Sequence, residues 1–107
     1  MKNYSLSRKL KTEGKINSQF ESMLSALTLE DIISLKLEIA SRNVKGKLYG
    51  YPIYQAMPEI AKEAAFKWAV TAADTKTNAS RILGISLDKF NKIYKKLNID
   101  SFFQKNT

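Results

Sequence analysis

The sequence contains no cysteine and no histidine, and only two prolines and four glycines among its 107 residues. Without cysteine, disulfides, Cys-ligated zinc sites, iron–sulfur clusters and thiol catalysis are excluded. Without histidine, the most common general base and metal ligand at neutral pH are missing. Carboxylates, Lys, Tyr and Ser are what remains for catalysis. We therefore expect a binding protein without catalytic residues, metal site, cofactor or small-molecule substrate.

Long apolar runs are also missing. The first ten residues include basic side chains but no continuous apolar segment, and later apolar stretches are interrupted by Lys, Glu or Ser. This pattern predicts neither a targeting segment nor a membrane span, and it favours a cytoplasmic location. Hydrophobic residues make up 44% of the chain. That fraction is enough for a folded core, and the length suits a single domain.

Positive charge is plentiful and lies at the two ends of the chain. Lys and Arg number 18 against 10 Asp and Glu, which gives a net charge of +8. Residues 76–107 alone contain seven basic and two acidic side chains, whereas the middle of the chain is close to neutral. A basic C-terminal third is typical of a surface that binds a polyanion. The alternative is a solvated basic surface without a partner.

The N-terminal half predicts a basic arm followed by two helices. Residues 1–15 have few apolar positions and are expected to form a mobile basic arm. A short helix is predicted at about 18–27, where Ser18 and Glu21 fit a capping box.

A second helix is predicted for residues 28–42. Thr28 is its expected N-cap, and acidic residues follow in the first turn, where the helix dipole favours them. Residues 33–39 also alternate between apolar and polar, so a strand is a competing interpretation.

A connector at 43–52 precedes the strongest helical pattern, which extends from 56 to 73 with Pro58 in its first turn. This helix is apolar on two opposite faces, which indicates burial on two sides. We expect it to pack between its own domain and a second subunit; a core helix in a monomer is the alternative. Residues 16–73 are thus predicted to form a dimerisation region, with contacts from Leu35, Ile39, Ile60, Ala64, Phe66, Trp68 and Val70.

Residues 74–99 predict a helix-turn-helix motif, and 100–107 a tail. A first short helix at 76–83 ends at Gly84, and Ser86 caps a second helix. Phe90, Ile93, Tyr94 and Leu97 are expected to form the buried side of the second helix. Two short helices joined by a tight turn that contains Gly are typical of DNA-binding motifs.

This segment resembles the Fis type of DNA-binding protein, whose motif also ends the nitrogen-regulator activators. The resemblance rests on Asn78-Ala79-Ser80-Arg81-Ile82-Leu83-Gly84-Ile85-Ser86, on Phe90, and on Tyr94-Lys95-Lys96-Leu97, and it extends over roughly residues 48–99. It implies an all-α fold: a small helical homodimer with a C-terminal helix-turn-helix in each subunit. It also implies binding and bending of double-stranded DNA, to regulate transcription or to organise DNA as a nucleoid-associated protein.

The resemblance also implies which residues face DNA. They are Thr75, Thr77, Ser86, Leu87, Asn91, Lys92, Lys95 and Lys96, and Lys89 joins them on the solvent side of the second helix. Leu87 stands where the family commonly has an arginine that reads guanine. Because Leu cannot make that bidentate contact, we expect base readout to be different or weaker.

A non-catalytic adaptor that binds a transcription or replication enzyme is the rival interpretation. It is favoured by Leu87 and by the apolar Phe102 and Phe103 in the tail. Basic residues distributed over several elements argue against an amphipathic membrane binder. Salt-dependent binding to duplex DNA would separate the DNA-binding protein from the adaptor.

Overall fold

The computed structural model describes residues 4–42 and 52–100, which form six helices and no strand. The predicted all-α class is confirmed. The connector at 43–51 and the tail at 101–107 lie outside the described residues. The helices are α1 (Leu6–Thr12), α2 (Ser18–Ser25), α3 (Leu29–Arg42), α4 (Ile53–Ala72), α5 (Lys76–Leu83) and α6 (Leu87–Lys96).

The described structure divides into two compact units. One unit comprises Ser7–Pro52, and the other comprises Met1–Leu6 together with Ile53–Thr107. Helix α4, which the sequence placed in one region with α3, therefore belongs to the same unit as α5 and α6.

Helix α1 lies within the segment that the sequence predicted as a mobile arm. The side chain of Lys11 forms an ion pair with Glu21 of α2, with 2.7 Å between Nζ and Oε1, and the Ser7 hydroxyl donates a hydrogen bond to the same carboxylate. The bonds from Lys11 and Ser7 lower the pKa of Glu21. These contacts join α1 to α2, and they could not be inferred from residues 1–15 alone.

Side-chain caps fix the beginnings of α2 and α3. Asn17, and not Ser18 as predicted, caps α2, because its Oδ1 accepts a hydrogen bond from the amide of Phe20 at 2.8 Å. In α3 the predicted cap is present: the amide of Asp31 donates to Thr28 Oγ1 at 3.1 Å, and the amide of Thr28 donates to Asp31 Oδ2 at 3.3 Å. This reciprocal pair starts a helix that continues to Arg42, so the strand interpretation was wrong.

None of the residues of α1, α2 and α3 is buried. Several large apolar side chains of α2 and α3 and of the turn between them are exposed; these are Phe20, Met23, Leu27, Leu29, Leu35 and Ile39. The described part of this unit therefore has apolar surface that its own helices leave uncovered.

The second unit has a well-defined core in which α4 packs against α5, and α5 against α6. The rings of Phe66 on α4 and Phe90 on α6 stack with their centroids 4.7 Å apart. Ala79 of α5 is fully buried, and a small side chain there allows the helices to approach closely. The buried set is Phe66, Ala69, Val70, Ala73, Ala79, Phe90, Tyr94 and Ile99.

Helix α4 begins earlier than predicted, at Ile53, so Pro58 lies inside the helix and not in its first turn. Proline has no amide hydrogen and cannot bond the carbonyl of the residue four positions earlier, Tyr54. Both residues are exposed, which leaves that carbonyl accessible to water. The missing bond is thus tolerated at the solvent side of the helix.

The two apolar faces of α4 have different environments. Phe66 and Val70, which the sequence predicted as dimer contacts, are buried in the core of their own chain. On the opposite face, Ile60 is 54% exposed and Trp68 is 59% exposed. Within the described structure, this second face remains uncovered.

Helix α5 ends as predicted, at Gly84 in the left-handed conformation with φ 72°. The amide of Gly84 bonds the carbonyl of Arg81, and that of Ile85 bonds the carbonyl of Ser80, both at 3.1 Å. This is the Schellman arrangement, which satisfies the last carbonyls of a helix. Ile85 then packs against the core, so the turn sets the direction in which α6 begins.

The Gly84 turn gives a stability prediction. Replacing Gly84 with Ala should reduce the free energy of unfolding by about 1 kcal/mol, because a Cβ is disfavoured at this φ. Beyond the adjoining backbone, no heavy atom lies within 4 Å of the added Cβ, so backbone strain is the expected cause. Urea unfolding followed by circular dichroism measures the change. Gly84→Asn should lose less, since Asn adopts this conformation more readily; equal losses would contradict the explanation.

Candidate nucleic-acid interface

The start of α5 is fixed by Thr75, one of the residues predicted to face DNA. Its Oγ1 accepts a hydrogen bond from the amide of Asn78 at 3.1 Å, which makes Thr75 the N-cap of the helix. A hydroxyl that accepts one bond still has a proton to donate. Thr75 and Thr77 are both exposed, so both hydroxyls remain accessible at this end of α5.

The start of α6 is fixed in the same way. Ser86 Oγ accepts a hydrogen bond from the amide of Lys89 at 3.2 Å, as the sequence predicted for its cap. Leu87 is the first residue of α6, and it is exposed. The turn and the cap together place the N-terminal end of α6 at the surface with its side chains directed to solvent.

The exposed side of α6 has three parts, which follow from a rotation of about 100° per residue. Lys92 and Lys95 lie opposite the buried Phe90. Leu87 and Asn91 lie on one flank, beside Tyr94. All four side chains are exposed.

Lys89 and Lys96 lie on the other flank of α6, beside the half-buried Ile93. They are also exposed, but they point away from the flank of Leu87 and Asn91. The predicted DNA-facing residues of α6 therefore do not share one face. Lys92 and Lys95, with the exposed Asp88 between them, form a continuous surface together with Leu87 and Asn91, which we call the outer face of α6.

A cluster around Tyr94 holds the end of α6 in place. The hydroxyl of Tyr94 donates a hydrogen bond to Asp100 Oδ1 at 2.5 Å, and Lys76 Nζ lies 4.3 Å from the centroid of the Tyr94 ring. Burial and the bond to Asp100 raise the pKa of Tyr94 to about 12. These contacts tie the start of α5 and the residues after α6 to the same ring.

The contacts of Lys76 and Asp100 with Tyr94 were not predicted from the sequence. The turn after α6 could have been predicted from Asn98. Asn98 follows the end of α6 with φ 54°, the left-handed conformation in which Asn often ends a helix. This turn leads Ile99 into the core and brings Asp100 to Tyr94.

A groove of about 710 Å³ lies between α4 and α6. Its floor is apolar, formed by Ala65, Phe66, Leu83, Ile85, Ile93 and Leu97. Its rim is charged, formed by Glu59, Lys62 and Glu63 on α4 and by Lys89 and Lys96 on α6. The flank of α6 that does not belong to the outer face therefore faces this groove.

Two other kinds of site are not seen in the described ranges. Residues 4–42 and 52–100 contain no group of three or more acidic side chains placed to hold a metal ion. The helices in the same ranges lack the combination of length and hydrophobicity that crossing a bilayer requires.

Comparison of this chain with protein-family models, with curated proteins and with solved structures finds no match. The function is therefore inferred from the arrangement of α4, α5 and α6 and from the charge on α6.

The Tyr94 cluster gives a prediction on alkaline stability. The raised pKa means that the folded state favours the neutral phenol of Tyr94. The contribution of this phenol to the free energy of unfolding is therefore complete below about pH 10 and is lost as the pH rises towards 12. An absorbance titration should show a late tyrosine ionisation step near pH 12.

Tyr94→Phe should abolish that late step and lower the free energy of unfolding at neutral pH by about 1.5 kcal/mol, since a hydrogen bond to a carboxylate is lost. If the late step persisted in the Phe variant, another tyrosine would be responsible.

Proposed function

We propose that this chain is a DNA-binding protein that acts as a homodimer, with α5 and α6 as a helix-turn-helix motif in each subunit. The observation that supports it best is the outer face of α6: lysines and an amide on an exposed helix whose start and end are both fixed by side-chain contacts. Such a protein would regulate transcription or organise DNA as a cytoplasmic, nucleoid-associated component, as the Fis-type resemblance implies.

Electrostatics favours duplex DNA as the ligand. Helix α6 contains four lysines and one acidic residue, Asp88. Asp88 lies in the first turn, where it stabilises the helix through the dipole. Lysines bound to phosphates release counterions, so affinity should fall steeply with salt.

Base readout is assigned to Leu87 and Asn91. The amide of Asn91 is suited to N6 and N7 of adenine, and the Leu87 side chain is suited to the methyl group of thymine. Neither contact reads guanine, so A·T pairs should be preferred in the half-site. The resemblance further implies recognition helices closer together than one DNA turn, which would require the DNA to bend and would favour easily deformed sequences.

Dimerisation is supported by apolar surface that the described chain leaves uncovered. Ile60, Ala64 and Trp68 form an exposed stripe on α4, and Leu35 and Ile39 are exposed on α3. Contiguous exposed apolar patches mark protein interaction sites when they are large. A two-fold symmetric dimer would cover the same stripe on both copies.

The DNA assignment predicts two different outcomes on the outer face of α6. Lys95→Ala should weaken binding to every duplex alike and lower the log–log salt slope by about 1, because one phosphate contact is lost. Asn91→Ala should cost about 1–3 kcal/mol on a preferred A·T-rich site and much less on random DNA. Fluorescence anisotropy at several salt concentrations measures both quantities.

The random duplex is the control for both variants. Equal losses on the two duplexes for Asn91→Ala would show that α6 reads no bases and that the protein coats DNA. Binding that did not depend on salt would exclude the proposed phosphate contacts and would favour the adaptor.

The dimer assignment predicts the effect of Trp68→Lys. The exposed indole is dispensable for the core of its own chain, so the variant should keep its helical circular dichroism but sediment as a monomer at concentrations where the wild type is a dimer. Trp68→Phe, which keeps an apolar ring, is the matched control and should remain dimeric. A wild-type chain that sedimented as a monomer at micromolar concentration would contradict the proposal.

A further inference from the structure

Helices α3 and α6 each have two charged and two apolar residues at the same spacing. The charged residues are acidic on α3 and basic on α6. In α3, Asp31 and Glu38 are seven residues apart, with Leu35 and Ile39 at the fourth and eighth positions after Asp31. In α6 and its C-cap, the positions with the same spacing are Lys89, Ile93, Lys96 and Leu97. On a helix, residues spaced in this way form one stripe of two charges beside two apolar side chains.

The stripe on α6 borders the groove described above. Lys89, Ile93, Lys96 and Leu97 all line it, opposite the α4 wall. None of the ion pairs found among the described residues involves Lys89 or Lys96. The groove thus has an apolar floor, two ammonium groups about two helical turns apart on the α6 side, and Glu59, Lys62 and Glu63 on the α4 side. The α6 side suits a helix with carboxylates at the same spacing.

The stripe on α3 is uncovered in its own unit. Leu35 is 43% exposed and Ile39 is 46% exposed. Asp31 Oδ2 accepts the amide of Thr28, and Glu38 Oε2 bonds Arg42 at 2.9 Å. Each of these contacts uses one oxygen of an exposed carboxylate, so both groups can accept a second partner.

We propose that the groove between α4 and α6 binds α3 of a second copy of this chain, with Asp31 and Glu38 against Lys89 and Lys96. This inference rests on the homodimer of the proposed function and names one of its contacts. In a two-fold dimer, each copy provides one helix and one groove, so the contact forms twice. Lys89 and Lys96 then belong to the subunit interface, and the phosphate contacts of α6 come from Lys92 and Lys95.

Charge exchange between two variants tests the contact. The groove variant Lys89→Glu/Lys96→Glu and the helix variant Asp31→Lys/Glu38→Lys should each raise the dimer dissociation constant on the order of 100-fold, because attraction becomes repulsion at both contacts. An equimolar mixture should form heterodimers, since every surface then meets its complement. Native mass spectrometry distinguishes the heterodimer from either homodimer by mass.

The control is Lys92→Glu/Lys95→Glu, which changes the net charge equally on the outer face of α6. It should dimerise like the wild type and lose DNA binding. Circular dichroism melting of each variant verifies that it folds.

Three results would overturn the inference: a wild-type monomer, dimers that survive either exchange, or a mixture that remains monomeric. A mixture that remains monomeric would arise if α3 bound the groove of its own chain. A wild-type monomer would arise if the groove bound another protein. DNA binding of the wild type is measured separately. If the wild type does not bind DNA but the two exchanged variants form heterodimers as expected, only the DNA assignment is refuted. If the wild type binds DNA but the variants do not behave as expected, only the groove contact is refuted.

Discussion

The stack of Phe66 on Phe90 is the contact on which the organisation of the second unit depends. It joins α4 to α6, which are separated by α5 and two turns, and both rings are almost completely buried. A buried aromatic pair of this kind contributes its area and a further 0.5–1.5 kcal/mol, roughly, from ring geometry. With Phe90 held on α4, the rotation of α6 about its axis is fixed. That rotation determines which of its lysines face outwards and which face the groove.

Local signals allowed the helix ends near the candidate site to be predicted, whereas long-range contacts could not be. Gly84 and Ser86 each act through residues at most five positions away, so the chemistry of a single turn was sufficient to predict the bounds of α5 and α6. Pro58 was placed in the first turn because no local rule indicated that the helix begins at Ile53. The bonds from Lys11 and Ser7 to Glu21 bring together residues from separate helices, and the sequence pattern of residues 1–15 contains no trace of them.

The two faces of α4 show a second limit of sequence analysis. The period of its apolar residues was sufficient to predict two buried sides. It could not assign either side, because both faces contain a large aromatic side chain, Phe66 or Trp68, and the pattern does not show what packs against it. The structure places Phe66 in the core and leaves Trp68 uncovered. The assignment of each face depends on the position of α6, which is a tertiary property.

Helix α6 has only ten residues, and its surface is divided between the core, the groove and the outer face, to which the proposed function assigns DNA binding. Phe90 and Tyr94 occupy the core side, so the remaining arc is divided between the outer face and the groove flank. Lys89 lies about 120° around the helix from Lys95, whereas Lys92 and Lys96 are neighbours one turn apart. Equal charges on α6 therefore have unequal positions. In the proposed groove contact, Lys89 and Lys96 are neutralised by carboxylates of the second copy. They then no longer compete with the lysines of the outer face for DNA phosphates. Under the two proposals together, Lys92 and Lys95 would set the orientation of α6 on DNA, and assembly and DNA recognition would be properties of the same helix.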